Sequence, residues 1–96
     1  NKEEALQAYK TWLAQSRKSP AVLYIIARRF EQMKAFEQAL TCWQSLALLL
    51  PTVAENEVHS AYCLQALGRK EEARKAMDRA KILGAGQEDF KLFGLQ

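Results

Sequence analysis

Glycine and proline are scarce in this chain of 96 residues, which contains only four glycines and two prolines. Pro20 and Pro51 leave long intervals without a residue that interrupts a helix, and such intervals favour helices over many short strands. Hydrophobic residues make up 49% of the chain and charged residues 26%. This balance is typical of a folded domain and argues against intrinsic disorder, and the length allows one domain.

Long apolar runs are also missing, since the longest extends only from Leu46 to Pro51. A run of that length cannot cross a membrane as a helix. No basic segment followed by an apolar segment opens the chain, so no signal peptide is recognisable. Residues Asn1 to Ala5 already have the pattern of a helix interior, and we therefore expect a fragment of a longer protein. A targeting segment could precede it, so the sequence assigns no cellular compartment.

The chain has only two cysteines and one histidine. Free buried thiols are the simplest interpretation of Cys42 and Cys63, although the sequence also permits a disulfide between them. His59 and Cys63 could supply two metal ligands from one helix, but no third ligand is evident. A Gly-rich phosphate loop and a nucleophile surrounded by carboxylates are both missing. We therefore expect no metal, no cofactor, no small-molecule substrate and no enzymatic activity.

Apolar residues recur with helical spacing along most of the chain. The pattern predicts helices over about 2–15, 20–32, 36–49, 54–67 and 70–83, and the start of a sixth over 88–96. Ser19 is a suitable N-cap for the second helix, and Thr52 is the expected cap of the fourth. Gly68 is typical of a residue that ends a helix. Connections of about two to six residues favour antiparallel packing of successive helices.

A block of similar sequence occurs three times at an interval of 34 residues. It reads KEEA at 2–5, FEQA at 36–39 and KEEA at 70–73. Four residues after its alanine, each block has a large residue, which is Tyr9, Trp43 or Met77. The interval does not fit armadillo or HEAT units, which have about 40–47 residues. A plain helical bundle is the other alternative, but it would not require a common interval.

Large and small residues follow a recognisable order within this interval. In the first complete unit they are Leu23, Ile26, Ala27, Phe30, Ala39, Trp43 and Pro51. On these residues the chain resembles the tetratricopeptide repeat family over nearly its full length. The second unit matches less well, because Glu57 and Ser60 stand where large apolar residues are usual, and Ala85 replaces the proline. The resemblance implies an all-α fold of antiparallel helix–turn–helix repeats stacked as a right-handed α-solenoid.

The resemblance also implies how the chain is divided and packed. A single array would cover 1–96, with 1–19 as the second helix of a preceding repeat, 20–53 and 54–87 as full repeats, and 88–96 as the start of another. Small residues would let helices approach closely at Ala27, Ala39, Ala61 and Ala73. Large residues would fill the space between units at Phe30, Trp43, Leu64 and Met77. Because one unit cannot bury its apolar face alone, the units must stack.

In tetratricopeptide proteins the first helix of each unit lines a concave groove, and the resemblance implies such a groove here. Its candidate partner-binding residues are Tyr24, Ile25, Arg28, Glu31, Gln32, Glu55, His59, Tyr62 and Gln65, with Ala21, Val58, Lys91 and Leu92 as further members. Tyrosine and arginine suit a peptide or protein partner, because they supply contact area and bidentate hydrogen bonds. A merely solvated face is the simpler alternative. Tyr24, Arg28 and His59 replace the Lys-Asn-Asn positions that bind chaperone tails in some family members, so we expect no chaperone-tail adaptor.

Two alternatives to a partner-binding scaffold stay open. The chain could be an architectural spacer in a longer array, for example in a bacterial secretion or exopolysaccharide export protein. Apolar ends at Tyr9, Trp12, Phe90 and Phe93 would then contact neighbouring repeats, or cause self-association of the fragment. The basic run at 69–81 could bind nucleic acid, but its mixed charges and lack of interleaved aromatic residues disfavour that interpretation.

Overall fold

In the computed structural model, which describes residues 1–16 and 19–95, the chain forms six helices and no strand. They are α1 (Lys2–Ser16), α2 (Pro20–Gln32), α3 (Phe36–Leu49), α4 (Ala54–Ala66), α5 (Lys70–Ile82) and α6 (Gln87–Lys91). The first five begin and end within one residue of the predicted bounds, and the predicted all-α class is confirmed. The sixth is shorter than the helix expected over 88–96, because a turn containing Gly94 at φ 68° follows it.

Capping explains the start of α2 but not that of α4. Ser19 caps α2 as predicted, since the amide of Val22 donates a hydrogen bond to its Oγ at 3.4 Å. The predicted cap at Thr52 is wrong. Because α4 begins at Ala54, the cap position falls on Val53, whose side chain accepts no hydrogen bond.

The same turn closes α2 and α4. Lys34 and Gly68, which are one 34-residue interval apart, have φ angles of 59° and 78°. The backbone amide that follows each of them donates to a carbonyl oxygen five residues earlier, at 2.8 and 2.9 Å respectively. This is the Schellman arrangement, which satisfies the last carbonyl groups of a helix. The same hydrogen bond, at 2.9 Å, also follows Gly84 and Gly94, so this turn closes α5 and α6 as well.

Exchanging the residues at these turns should change stability in opposite directions. A Cβ at Gly68 would meet no atom within 4 Å, so any cost of a side chain there comes from the backbone conformation. We expect Lys34→Gly to raise the free energy of unfolding, and Gly68→Lys to lower it, by about 1 kcal/mol each. Urea denaturation followed by circular dichroism measures both changes. A loss of stability in both variants would contradict the shared turn geometry.

The core includes small and large residues that lie 34 residues apart in the sequence. The predicted packing residues are all buried, namely Ala27, Ala39, Ala61 and Ala73 among the small ones, and Phe30, Trp43, Leu64 and Met77 among the large ones. Contacts join α1 to α2, α2 to α3, α3 to α4 and α4 to α5. The burial expected from the sequence interval is therefore confirmed for these eight residues.

The two cysteines are free and buried. Burial raises the pKa of Cys42 to about 12. It also raises the pKa of Cys63, and the neighbouring Glu31 carboxylate, whose Oε2 lies 3.8 Å from Sγ, adds to that effect. Both thiols are therefore protonated at neutral pH and act as small apolar residues of the core, without the disulfide that the sequence allowed.

Candidate functional site

A cluster of polar side chains joins α2 to α4 in the interior. His59 on α4 lies against Glu31 on α2, with its Nδ1 2.8 Å from Oε2 of the carboxylate. The Nε2 of the same ring is 3.5 Å from Oε2 of Glu55. Only 3% of the His59 side chain and 8% of the Glu31 side chain are exposed. Because buried polar groups are costly without partners, this contact favours one relative position of the two helices.

Aromatic rings surround the imidazole of His59. Trp43 on α3 stacks on it, with ring centroids 4.0 Å apart and planes inclined by 13°. Phe93 packs against it at a centroid distance of 4.7 Å, and Tyr24 contacts Trp43 at 5.5 Å with nearly perpendicular planes. His59 was expected on the groove surface, but the structure places it beneath that surface. Its aromatic neighbours come from other elements, and no pattern within α4 indicates them.

Three side chains extend the polar cluster to the solvent. The hydroxyl of Tyr24 donates to Oε2 of Glu55 at 3.1 Å and accepts a hydrogen bond from Nη1 of Arg28 at 3.1 Å. The Nε of Arg28 also lies 3.8 Å from Oε1 of Glu31. The side chains of Arg28 and Glu55 are 46% and 50% exposed. Arg28 and Glu55 therefore already have contacts within the chain, to the half-buried Tyr24 and to the buried Glu31 and His59.

An open pocket of about 630 Å³ lies beside these exposed polar groups, and we call it the α2–α4–α6 pocket. Its charged side chains are Arg28, Glu55 and Asp89, and its apolar wall includes Val58, Leu83, Leu92 and Phe93. Leu92 is 81% exposed. An apolar wall with a few polar groups is the usual composition of a binding site.

The pocket contains part of the predicted partner-binding set. Arg28, Glu55 and His59 line it, as do Val58 and Leu92 from the further members. Tyr24 and Glu31 do not line it, but they hold Arg28 and Glu55 in position. Three of the nine predicted partner-binding residues therefore line one pocket, His59 from a buried position, while Ala21 and Lys91 of the further members do not line it.

The other predicted residues lie outside the pocket lining, namely Ile25, Gln32, Tyr62 and Gln65. Tyr62 packs against Phe93, with ring centroids 5.0 Å apart. The amide of Gln65 donates to the backbone carbonyl of Gly94 at 3.4 Å. Sequence reasoning missed Leu83 and Asp89, because a connection and a short terminal helix have no periodic pattern that would assign them to a surface.

The basic run at 69–81 is partly neutralised within the chain. Arg69 lies 2.7 Å from Glu72 and 3.4 Å from Glu37, and Arg79 lies 3.2 Å from Glu57. The hydrogen bond from Arg69 lowers the pKa of the Glu72 carboxyl. Two cations of the run thus already face carboxylates, which weakens the case for a phosphate-binding surface.

A second apolar surface lies outside the pocket, around the end of α3. Its exposed members are Leu48, Leu49, Leu50 and Val53, of which Leu48 is 85% exposed. Ile82, one interval after Leu48, is 84% exposed. Exposed apolar patches often mark contacts with other proteins. This surface offers a comparison for tests of the pocket, because it presents leucines without the hydrogen-bonded polar groups.

Comparisons with protein-family models, with curated proteins and with solved structures found no match. Over residues 1–16 and 19–95, no three His, Cys, Asp or Glu side chains are grouped so that they could hold a metal ion. None of the helices in these ranges has the length and apolarity needed to cross a membrane. The features of this chain that bear on function are therefore the recurring sequence interval and the geometry of the pocket.

Proposed function

We propose that this chain is a tetratricopeptide-like helical array that binds a partner protein or peptide in the α2–α4–α6 pocket. The observation that carries the proposal is the position of the pocket. It lies where α2 and α4, the two helices expected to line a concave groove, present hydrogen-bonded polar groups next to an apolar wall. Such a combination of a few polar groups with apolar surface is typical of binding sites. The proposed role is that of a non-catalytic scaffold.

Contacts between successive helices support the proposed stacking. Trp43 of α3 contacts His59 of α4, and the two residues are about equally far along the chain from the connection between their helices. Glu57 of α4 and Arg79 of α5 are likewise in contact and about equally far from the connection between α4 and α5. Contacts of this kind are expected of antiparallel neighbours, and the recurring turns at Lys34 and Gly68 are expected of equivalent repeats. A right-handed α-solenoid is the arrangement that we propose for these repeats.

Two leucine substitutions test the pocket against the second apolar surface. We expect Leu92→Arg to abolish capture of the partners of the full-length protein, because it places a large charge against the apolar wall. Leu48→Arg, which changes an equally exposed leucine outside the pocket, should leave capture intact. Quantitative affinity purification with both variants measures the difference, after circular dichroism has shown that each is folded.

The reverse result would contradict the proposal. Loss of partners in Leu48→Arg with retention in Leu92→Arg would move the binding surface to the end of α3. Retention of every partner in both variants would favour the second proposal, an architectural spacer in a longer array. Leu48 and Ile82, which are one sequence interval apart, are both exposed. This exposure favours the spacer role, because a neighbouring part of the array could cover both side chains.

A further inference from the structure

We infer that the α2–α4–α6 pocket accepts a partner segment that presents a lysine or arginine side chain next to aliphatic side chains. The inference rests on the proposed function, since it names the chemistry of the partner for the same pocket. It follows from the charges around the pocket, from the contacts that those charges already make, and from the apolar wall beside them.

Carboxylates outnumber cations at this site. Glu55 and Asp89 line the pocket, and Arg28 is the basic side chain among its described lining residues. Arg28 already lies 3.8 Å from Oε1 of Glu31 and donates to the hydroxyl of Tyr24. Its charge is therefore offset by a carboxylate of the same helix. A partner meets a site whose remaining charge is negative.

The two carboxylates of the pocket have no lysine or arginine partner in the described parts of the chain, and the histidine His59 is the basic residue that contacts Glu55. Over 1–16 and 19–95, no lysine or arginine nitrogen lies within 4.0 Å of Glu55 or Asp89. Glu55 uses Oε2 for its contacts with Tyr24 and His59. Asp89 uses Oδ2 to accept the amide of Gly86 at 2.8 Å. The second oxygen of each carboxylate is left for a charge-assisted hydrogen bond from a partner.

The apolar wall sets the second requirement. Val58, Leu83 and Leu92 supply aliphatic surface within the same pocket. Covering the 81% exposed Leu92 with an aliphatic side chain would remove apolar surface of both partners from water. A segment with glutamate in place of the basic residue would bring like charges together and would be disfavoured. The pocket therefore selects for basic charge and aliphatic bulk together.

Two short fluorescein-labelled peptides test the inference by fluorescence anisotropy with the unmodified chain. Both contain the same leucines, and they differ only in having lysines or glutamates between them. We expect the lysine peptide to bind at least about tenfold more tightly than the glutamate peptide. Its affinity should also fall as ionic strength rises, because the attraction is partly electrostatic.

Asp89→Asn locates the effect within the pocket. Asparagine can still accept the Gly86 amide, so α6 keeps its cap while the charge is removed. We expect about fivefold weaker binding of the lysine peptide to Asp89→Asn. Glu88→Gln, which removes the same charge one residue away and outside the pocket lining, should bind it like the unmodified chain. Equal losses in the two variants would overturn the assignment to the pocket.

The remaining outcomes separate this inference from the proposed function. Equal binding of both peptides, lost in Leu92→Arg, would overturn the preference for a basic side chain and leave the pocket as a binding site. Failure of both peptides to bind would overturn the inference. The proposed function would then be judged separately, by whether Leu92→Arg and Leu48→Arg lose or retain the natural partners.

Discussion

Replacing Trp43 with alanine should lower the free energy of unfolding by about 4 kcal/mol. The side chain is fully buried on α3, where it stacks on His59 and contacts the ring of Tyr24. One residue thereby connects α2, α3 and α4. A domain of this size has a total stability of about 5–15 kcal/mol, so the substitution should remove a quarter or more of it.

Trp12 provides the matched control for this substitution. It is 38% exposed on α1, and Trp12→Ala should change the free energy of unfolding by less than about 1 kcal/mol. Urea denaturation followed by circular dichroism at the helix band measures both variants without relying on tryptophan fluorescence. Similar losses for Trp12→Ala and Trp43→Ala would contradict the central position assigned to Trp43.

Removing the carboxylate of Glu31 should lower the free energy of unfolding by about 3 kcal/mol, because it leaves buried polar groups without a partner. Glu31→Ala would deprive Nδ1 of His59 of its contact at 2.8 Å, and Sγ of Cys63 of its contact at 3.8 Å. The other carboxylate near this ring, that of Glu55, contacts Nε2 and not Nδ1. The same denaturation experiment measures the loss.

Glu37 is the control for Glu31, since it also contacts a basic residue from a later part of the chain. Its partner Arg69 lies 3.4 Å away, and the side chains of Glu37 and Arg69 are 66% and 41% exposed. Glu37→Ala should therefore leave stability almost unchanged. The double variant Glu31→Leu with His59→Phe should recover most of the loss, because it replaces both polar partners and keeps a ring against Trp43. Equal losses for Glu31→Ala and Glu37→Ala would contradict the buried contact.

The helices and their packing residues could be predicted because their determinants are local or periodic. Apolar spacing set the bounds of α1 to α5, and Gly68 marked the end of α4. The 34-residue interval identified Ala39 and Trp43 as packing residues. When side chains of similar size recur at one position of the interval, the surrounding space is expected to limit that size. The backbone turn at Lys34 follows the same interval without a glycine.

The interior of the site could not be predicted in the same way. His59 occupies a position expected to face the groove, and nothing near it in sequence reveals that Glu31, 28 residues earlier, meets its ring. Asp89 contributes to the pocket from a helix of five residues. A helix of that length is too short for helical spacing of apolar residues to be recognised in the sequence. Such contacts depend on how separate elements are placed, so they become visible only once the helices are packed.

A methyl NMR titration with the lysine peptide tests the pocket most directly. If the pocket binds the peptide, the methyl signals of Val58, Leu83 and Leu92 should shift, because these side chains form the apolar wall. The signals of Leu48 and Ile82, which are about equally exposed elsewhere, should stay in place. Shifts at Leu48 and Ile82 with none at Leu92 would contradict the pocket as the binding surface of this chain.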